Sequence, residues 1–424
     1  MVRFVTATEA AHERLLRELF AKAVRCCHPQ TVLPSLLPPE APKGVTYVFA
    51  AGKAAAEMAA VADAHLQGEV QGLAVTRYGH GAQGSTGDIE VIEAGHPVPD
   101  SQSEVAAQKM LAMAAQCGPD DRVVFLMSGG GSALLCAPIE GISAQRKRAI
   151  TKFLLRSGAP IDEINCVRKR LSRIKGGGLA SVAGTDDLLT IVISDVVGDA
   201  PADIASGPSI ESTATAGQAI DILARCAYPD LAEIEPAILA SETPTVVDHR
   251  VEVAATAAMA LAAVADAAAQ AGWESVMLGD RIEGEAREVG AAHAEMALDY
   301  RKQGCRVMLI SGGELTVTMG GDDGKGGPNL EYLTSLMIGL NGAKGIEAIA
   351  CDSDGIDGSE DNAGGYIGPS SLRLAQELGL DAAHALKTNN SYPLFEALGA
   401  LVITGPTRTN INDIRIILID SVEE

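Results

Sequence analysis

Residues 122–135, RVVFLMSGGGSALL, decide the fold. Arg122–Met127 is a short apolar run rich in strand formers, Gly129, Gly130 and Gly131 interrupt it, and Ala133–Leu135 resumes with helical spacing. A strand that breaks at glycines and re-enters as a helix is half of a βα unit. The same grammar recurs along the chain. Thr46–Ala50 leads through Gly52 and Lys53 into an Ala-rich stretch, Leu188–Ile193 ends in SDVVGDAP, and Arg306–Ile310 ends in SGGE. Gly345–Cys351 ends in DSDGIDGSEDNAGG, and Leu401–Thr404 ends in GPTRTNIND. Repeated βα units imply an α/β fold with a parallel sheet and flanking helices. In such sheets ligands bind at the carboxyl ends of strands, so the functional loops are expected along that edge.

A chain of 424 residues is too long for one core. Between Tyr228 and Asp248 the pattern loosens around Pro229, Pro236 and Pro244, which sets the expected domains at 1–240 and 241–424. Lys and Arg total 33 against 55 for Asp and Glu, a net charge of -22 that repels nucleic-acid backbones and acidic membrane surfaces. The mean hydropathy is +0.15. The eight cysteines contain no C-x-x-C and sit in apolar surroundings, as expected of reduced thiols in a cytoplasmic protein. Neither the charged N-terminal stretch nor the Ala-rich run near residue 260 is long and apolar enough for a spanning segment.

Several motifs could carry chemistry. Lys53 follows a strand and opens a helix, where free N–H groups already favour an anion. Ser128, Gly129, Gly130, Gly131 and Ser132 form a turn whose backbone can wrap an oxyanion. In NCVRKRLSRIKGGGLA five basic residues fall within eight positions, and helical spacing would place Arg168 and Lys175 on one face. Asp195 in ISDVVGD and Asp354 in CDSDGIDG follow strands, the usual place for carboxylates that hold Mg²⁺. Gly312 and Gly313 of SGGE, together with Lys325 and Asn329 of GGDDGKGGPNLEYL, suit a loop over a polyphosphate, and His96 stands in the loop EAGHPVPD. No G-x-G-x-x-G follows a strand with an acidic residue at the dinucleotide spacing.

Taken together, AAGKAAAEM, EAGHPVPD, SGGGSALL, NCVRKRLSRIKGGGLA, ISDVVGD with IASGP, SGGELTV, GGPNLEYL, CDSDGIDGSEDNAGG and TGPTRTNIND resemble the class II glycerate 2-kinase family. Its C-terminal half is called MOFRL, and its members are often also labelled hydroxypyruvate reductases. The resemblance implies an N-terminal Rossmann-like domain, a C-terminal α/β domain and an active cleft between them. It further implies phosphorylation of D-glycerate to 2-phosphoglycerate by ATP with Mg²⁺ or Mn²⁺, in a cytoplasmic enzyme with small-molecule substrates and possible assembly as a homodimer.

By position, Lys53 would meet the transferred phosphate or the glycerate, and Arg168, Lys175, His96 and Ser128 would hold substrate. Gly129–Ser132, Gly312, Gly313, Lys325 and Asn329 would hold the nucleotide phosphates. Asp195 and Asp354 would serve Mg²⁺ or the 2-hydroxyl proton. Many members carry Arg in the slot of Pro328, and Arg408 is expected to supply that guanidinium from a neighbouring loop. The alternative reading is an NAD(P)H-dependent hydroxypyruvate reductase, against which the missing dinucleotide fingerprint stands. A non-catalytic sensor of an anionic metabolite is a third.

Overall fold

The computed structural model describes residues 6–319 and 324–420. The chain divides into two compact units, one of residues 29–254 and one that joins the N-terminal helix to residues 255 onward. These differ from the expected 1–240 and 241–424 at both ends.

In the 29–254 unit, six strands form one sheet: β1 (Thr46–Ala51), β2 (Val70–Arg77), β3 (Ile89–Ala94), β4 (Arg122–Met127), β5 (Leu188–Ile193) and β6 (Arg250–Ala255). Their spatial order is β3-β2-β1-β4-β5-β6, and β1 pairs in parallel with β2 and β4, as β2 does with β3 and β4 with β5. Every residue of β1 and β5 is buried, because a parallel sheet is covered by helices on both faces. Phe49, Phe125, Leu73, Met110 and Leu134 fill the main core. A second, helical cluster gathers Ile150, Leu154, Val167, Leu223 and Ile238. The Pro-containing stretch that suggested a boundary forms the helix Leu231–Ala240, with Pro236 inside it, and Ile234 and Ile238 tie it to that cluster. The chain then adds β6 to the sheet before leaving the unit.

The second unit holds β7 (Glu274–Gly279), β8 (Gly284–Glu285), β9 (Val307–Gly313), β10 (Leu315–Thr316), β11 (Ile346–Asp352), β12 (Gly364–Ile367), β13 (Leu401–Val402) and β14 (Asp413–Ile419). Six of them form a sheet of order β13-β12-β11-β14-β9-β7. It is mixed: β7 and β9 pair in parallel, but β14 is antiparallel to β9 and β11, and β12 to β11 and β13. The expectation of parallel pairing therefore fails here, because β12 and β14 enter by short connections that need no crossover helix. The strands ahead of the motif loops, β9, β11 and β13, still point the same way. Their loops consequently share one edge even though the pairing differs.

The N-terminal helix Ala7–Cys26 opens with a capping box, Thr6 accepting from Glu9 N while Glu9 accepts from Thr6 N. It buries Leu16, Leu19, Phe20 and Ala23 and joins the second sheet, where His12 Nδ1 lies 2.8 Å from Glu347 Oε1. An amphipathic stripe identifies such a helix but not the sheet that receives it, which is why residues 6–28 fall outside the expected N-terminal domain.

Candidate active site

In the 29–254 unit the turns after β1 and β4 are laced together. Ser128 N donates to Ala51 O at 2.9 Å, Lys53 N to Gly129 O at 2.8 Å, and Ala54 N to Ser128 Oγ at 3.1 Å. Gly52 has φ +133°, and a Cβ there would stand 2.1 Å from Ser128 Oγ, so only glycine allows the approach. Gly130 has φ +78°, and its missing Cβ leaves room for His96 Nε2, which would lie 2.9 Å away, and for Lys53 Cγ at 3.4 Å. The glycines thus let one turn sit against both Lys53 and His96. Ser128 is fully buried, and its hydroxyl accepts from Ala54 N and so helps to hold the turn.

Ser132 is the meeting point of the basic segment. Its Oγ accepts from Arg168 Nη2 and, at 2.8 Å, from Lys175 Nζ, which also donates to Ser132 O at 2.6 Å. Ser206 Oγ lies 2.8 Å from the same hydroxyl. Arg168 and Lys175 do converge, but not on one helical face. The helix Ile161–Arg170 stops before Lys175, and Ser172 bridges to Pro138 while Arg173 N donates to Ala137 O at 2.8 Å. Lys175 therefore reaches Ser132 from a turn. Burial holds both Arg168 and Lys175 below their ordinary pKa values, and Lys175 is pushed further down by Arg168 and Lys147. Buried cations that repel each other make a site that an anion would relieve.

Asp195 follows β5, two strands from β1, on the same edge as Lys53 and the glycine turn. It is partly exposed, between Ser194 Oγ and Val196 N, which are 3.3 Å apart. This unit thus brings together Lys53, His96, Gly129–Ser132, Arg168 and Lys175, and sets Asp195 on the same sheet edge.

In the second unit, the loop after β11 folds on its own carboxylates: Asp352 Oδ1 accepts from Asp354 N at 2.9 Å, and Asp354 Oδ1 from Ile356 N at 2.8 Å. Thr407 N donates to Asp354 O at 3.0 Å, which ties the Arg408 loop to the acidic loop. Arg408 itself is partly exposed, with φ +62°. Among the described residues, no three His, Cys, Asp or Glu side chains form a group that could hold a metal ion alone. Mg²⁺ in phosphoryl transfer is typically held by one or two carboxylates plus phosphate oxygens and water, and Asp195 in one unit and Asp354 in the other each offer a hard oxygen donor at a strand end.

The remaining expected phosphate ligands have structural employment. Asp357 caps the helix Pro328–Leu340 by accepting from Asn329 N and Leu330 N, each at 3.0 Å. Asn329 is buried and gives its Nδ2 to Asp413 Oδ1 at 2.7 Å and to Asp357 at 3.3 Å, so it braces the helix start. Burial, opposed by the Asn329 N–H and reinforced by Asp413, pushes Asp357 up to about 7. Gly312 and Gly313 lie inside β9, and their carbonyls accept from Arg415 at 3.2 and 3.3 Å. Lys325 is exposed, 3.6 Å from Glu360, and residues 320–323 of its loop lie outside the described residues. Sequence reading missed Arg415, which also donates to Asp413 Oδ2 at 2.6 Å. The available signal was one arginine inside the apolar strand DIRIILI.

No described helix is long and apolar enough to cross a membrane. Residues 15–240 match a domain of unknown function, DUF4147, and residues 307–413 match the MOFRL family. A protein of Agrobacterium vitis bearing the provisional name of a hydroxypyruvate reductase is 46% identical over 98% of this chain and 96% of its own length. A D-glycerate 2-kinase of Thermotoga maritima is 36% identical over 96% of this chain and 98% of its own. A crystal structure of glycerate kinase from Thermotoga maritima superposes with a TM-score of 0.87 at 34% identity, covering 97% of this chain and all of that one. With both family models matched in order and relatives similar over nearly their whole length, the chain belongs to the class II glycerate 2-kinase family.

Proposed function

We propose that this protein is a glycerate 2-kinase, transferring the terminal phosphoryl group of ATP to the 2-hydroxyl of D-glycerate. The observation that carries the reading is the glycine turn 129–131, with Lys53 and His96 on one side and Arg168 and Lys175 fixed on Ser132 at its end. Such a turn offers cations and backbone N–H groups to small anions, and both substrates are anionic.

Phosphoryl transfer needs positioning and charge neutralisation more than covalent help. Lys53 is assigned to the transferred phosphoryl group, whose charge spreads over its oxygens as the bond to the leaving ADP breaks. Arg168 and Lys175 hold the carboxylate, which fixes the acceptor hydroxyl. Asp195 orients that hydroxyl and takes its proton as the new O–P bond forms. Asp354 or Asp195 would hold Mg²⁺ or Mn²⁺, which when bound would neutralise phosphate charge. Arg408 is assigned a second neutralising role, standing in for the guanidinium that Pro328 lacks.

Product NMR after incubation with ATP, Mg²⁺ and D-glycerate tests reaction and position together. A phosphorus signal coupled to the C2 proton is expected, and a product phosphorylated only at C3 would overturn the regiochemistry. The name carried by the Agrobacterium vitis relative motivates a parallel assay with hydroxypyruvate and NADH. Oxidation of NADH at a rate matching or exceeding glycerate phosphorylation would favour the reductase.

A further inference from the structure

Lys147 lies on the helix Ala144–Ser157, in line with Ile150 and Leu154, which face the helical cluster. A lysine at an inward position ordinarily snorkels to water or meets a carboxylate. Lys147 does neither: the residue is 7% exposed, and its Nζ has no hydrogen-bond partner among the described residues. Burial lowers its pKa to about 7, opposed by the Cys136 thiol and reinforced by Arg168. Lys175 in turn feels Arg168 and Lys147.

The helices that carry Lys147 and Arg168 share one core cluster through Ile150, Leu154 and Val167, and none of Lys147, Arg168 and Lys175 forms an ion pair with a described carboxylate. The neighbouring Lys169, by contrast, pairs with Asp203 at 2.9 Å. A buried ammonium beside like charges is strongly disfavoured, so Lys147 gives up its proton readily, and a bound anion would restore it.

We propose that Lys147 is a substrate-binding residue, which together with Arg168 and Lys175 forms a three-cation seat for the carboxylate of the acceptor acid. This rests on the glycerate reading above for the identity of the acid. A guanidinium flanked by ammonium groups matches a two-oxygen anion, while the N–H groups of Gly129 and Gly130 are left to phosphate, that of Gly131 being donated to Ser128 O at 3.3 Å.

The test uses the full chain with Lys147→Met and Lys147→Gln, which remove the charge and keep most of the volume. KM for D-glycerate should rise about tenfold or more, with KM for ATP and kcat changed only slightly. Stabilisation of the protein by D-glycerate in thermal melts should be lost, while the ligand-free melting temperature holds or rises. An unchanged KM for D-glycerate, a rise confined to KM for ATP, or a fall in ligand-free stability of both variants would each overturn the proposal. If the wild type phosphorylates no D-glycerate, the kinase reading fails, and the melts still decide. D-glycerate stabilisation present in wild type and lost in the variants supports the seat; stabilisation equal in all, or absent from wild type, overturns it.

Discussion

Replacing Gly130 by alanine probes the site without touching any charge. The residue sits at φ +78°, so a side chain there carries a left-handed backbone penalty of about 1–2 kcal/mol. The new Cβ would also stand 2.9 Å from His96 Nε2 and 3.4 Å from Lys53 Cγ. Ordinary contact begins near 3.4 Å, so the imidazole must retreat by roughly half an ångström, and Lys53 is pressed as well. Misplacement by 1 Å can cost about a hundredfold in rate, which scales to about tenfold in kcat/KM here. Gly79 supplies a matched control: its φ is +77°, but nothing lies within 4 Å of where its Cβ would be. Gly79→Ala should therefore lose similar stability with little change in rate. ADP release with D-glycerate and thermal melts of both variants give the comparison. If Gly130→Ala matched Gly79→Ala in kcat/KM within twofold, the contact of the turn with His96 and Lys53 would have no part in catalysis.

Lys53→Ala should lower kcat at least about a hundredfold, the scale of removing one preorganised charge donor; unchanged turnover would remove Lys53 from the reaction. Arg408→Ala should lower kcat/KM by more than about tenfold, a loss near 1.4 kcal/mol of transition-state stabilisation, and a change of only a few-fold would end the idea that it compensates for Pro328. Arg415→Met leaves the Asp413 carboxylate buried without its cation and should destabilise the second unit by about 3–5 kcal/mol, seen as a lower melting temperature. Adding Asp413→Asn should restore most of the loss, and failure to do so would show that packing rather than charge dominates. Burial holds Lys147 at about 7 against an ordinary 10.5. Between those values the unfolded chain carries a proton the folded one lacks, so wild-type stability should rise with pH across that window, by on the order of 5 kcal/mol in all. The advantage of Lys147→Met in ligand-free melts should accordingly be greatest near pH 7 and shrink towards pH 10; a constant difference would refute the depressed pKa.

Much was decided by the order of residues alone. Strand and helix periods, with glycines between them, are local properties, so RVVFLMSGGGSALL and its counterparts identified the βα units and the loops that matter. Order along the chain also singled out Lys53 and the glycine turn, because both lie within a few residues of a strand end. Only the tertiary structure decided what converges. Lys175 reaches Ser132 through a turn that breaks the helical spacing, Ser128 and Asn329 take hydrogen bonds with Ala54 and Asp413, and the N-terminal helix packs on the C-terminal sheet. Nothing in the stretch AQRKRAITKFLLRS sets Lys147 apart from its basic neighbours. Its burial depends on the segments that close over it from elsewhere in the chain, and the energy of a charge is set by those surroundings, which local sequence does not carry.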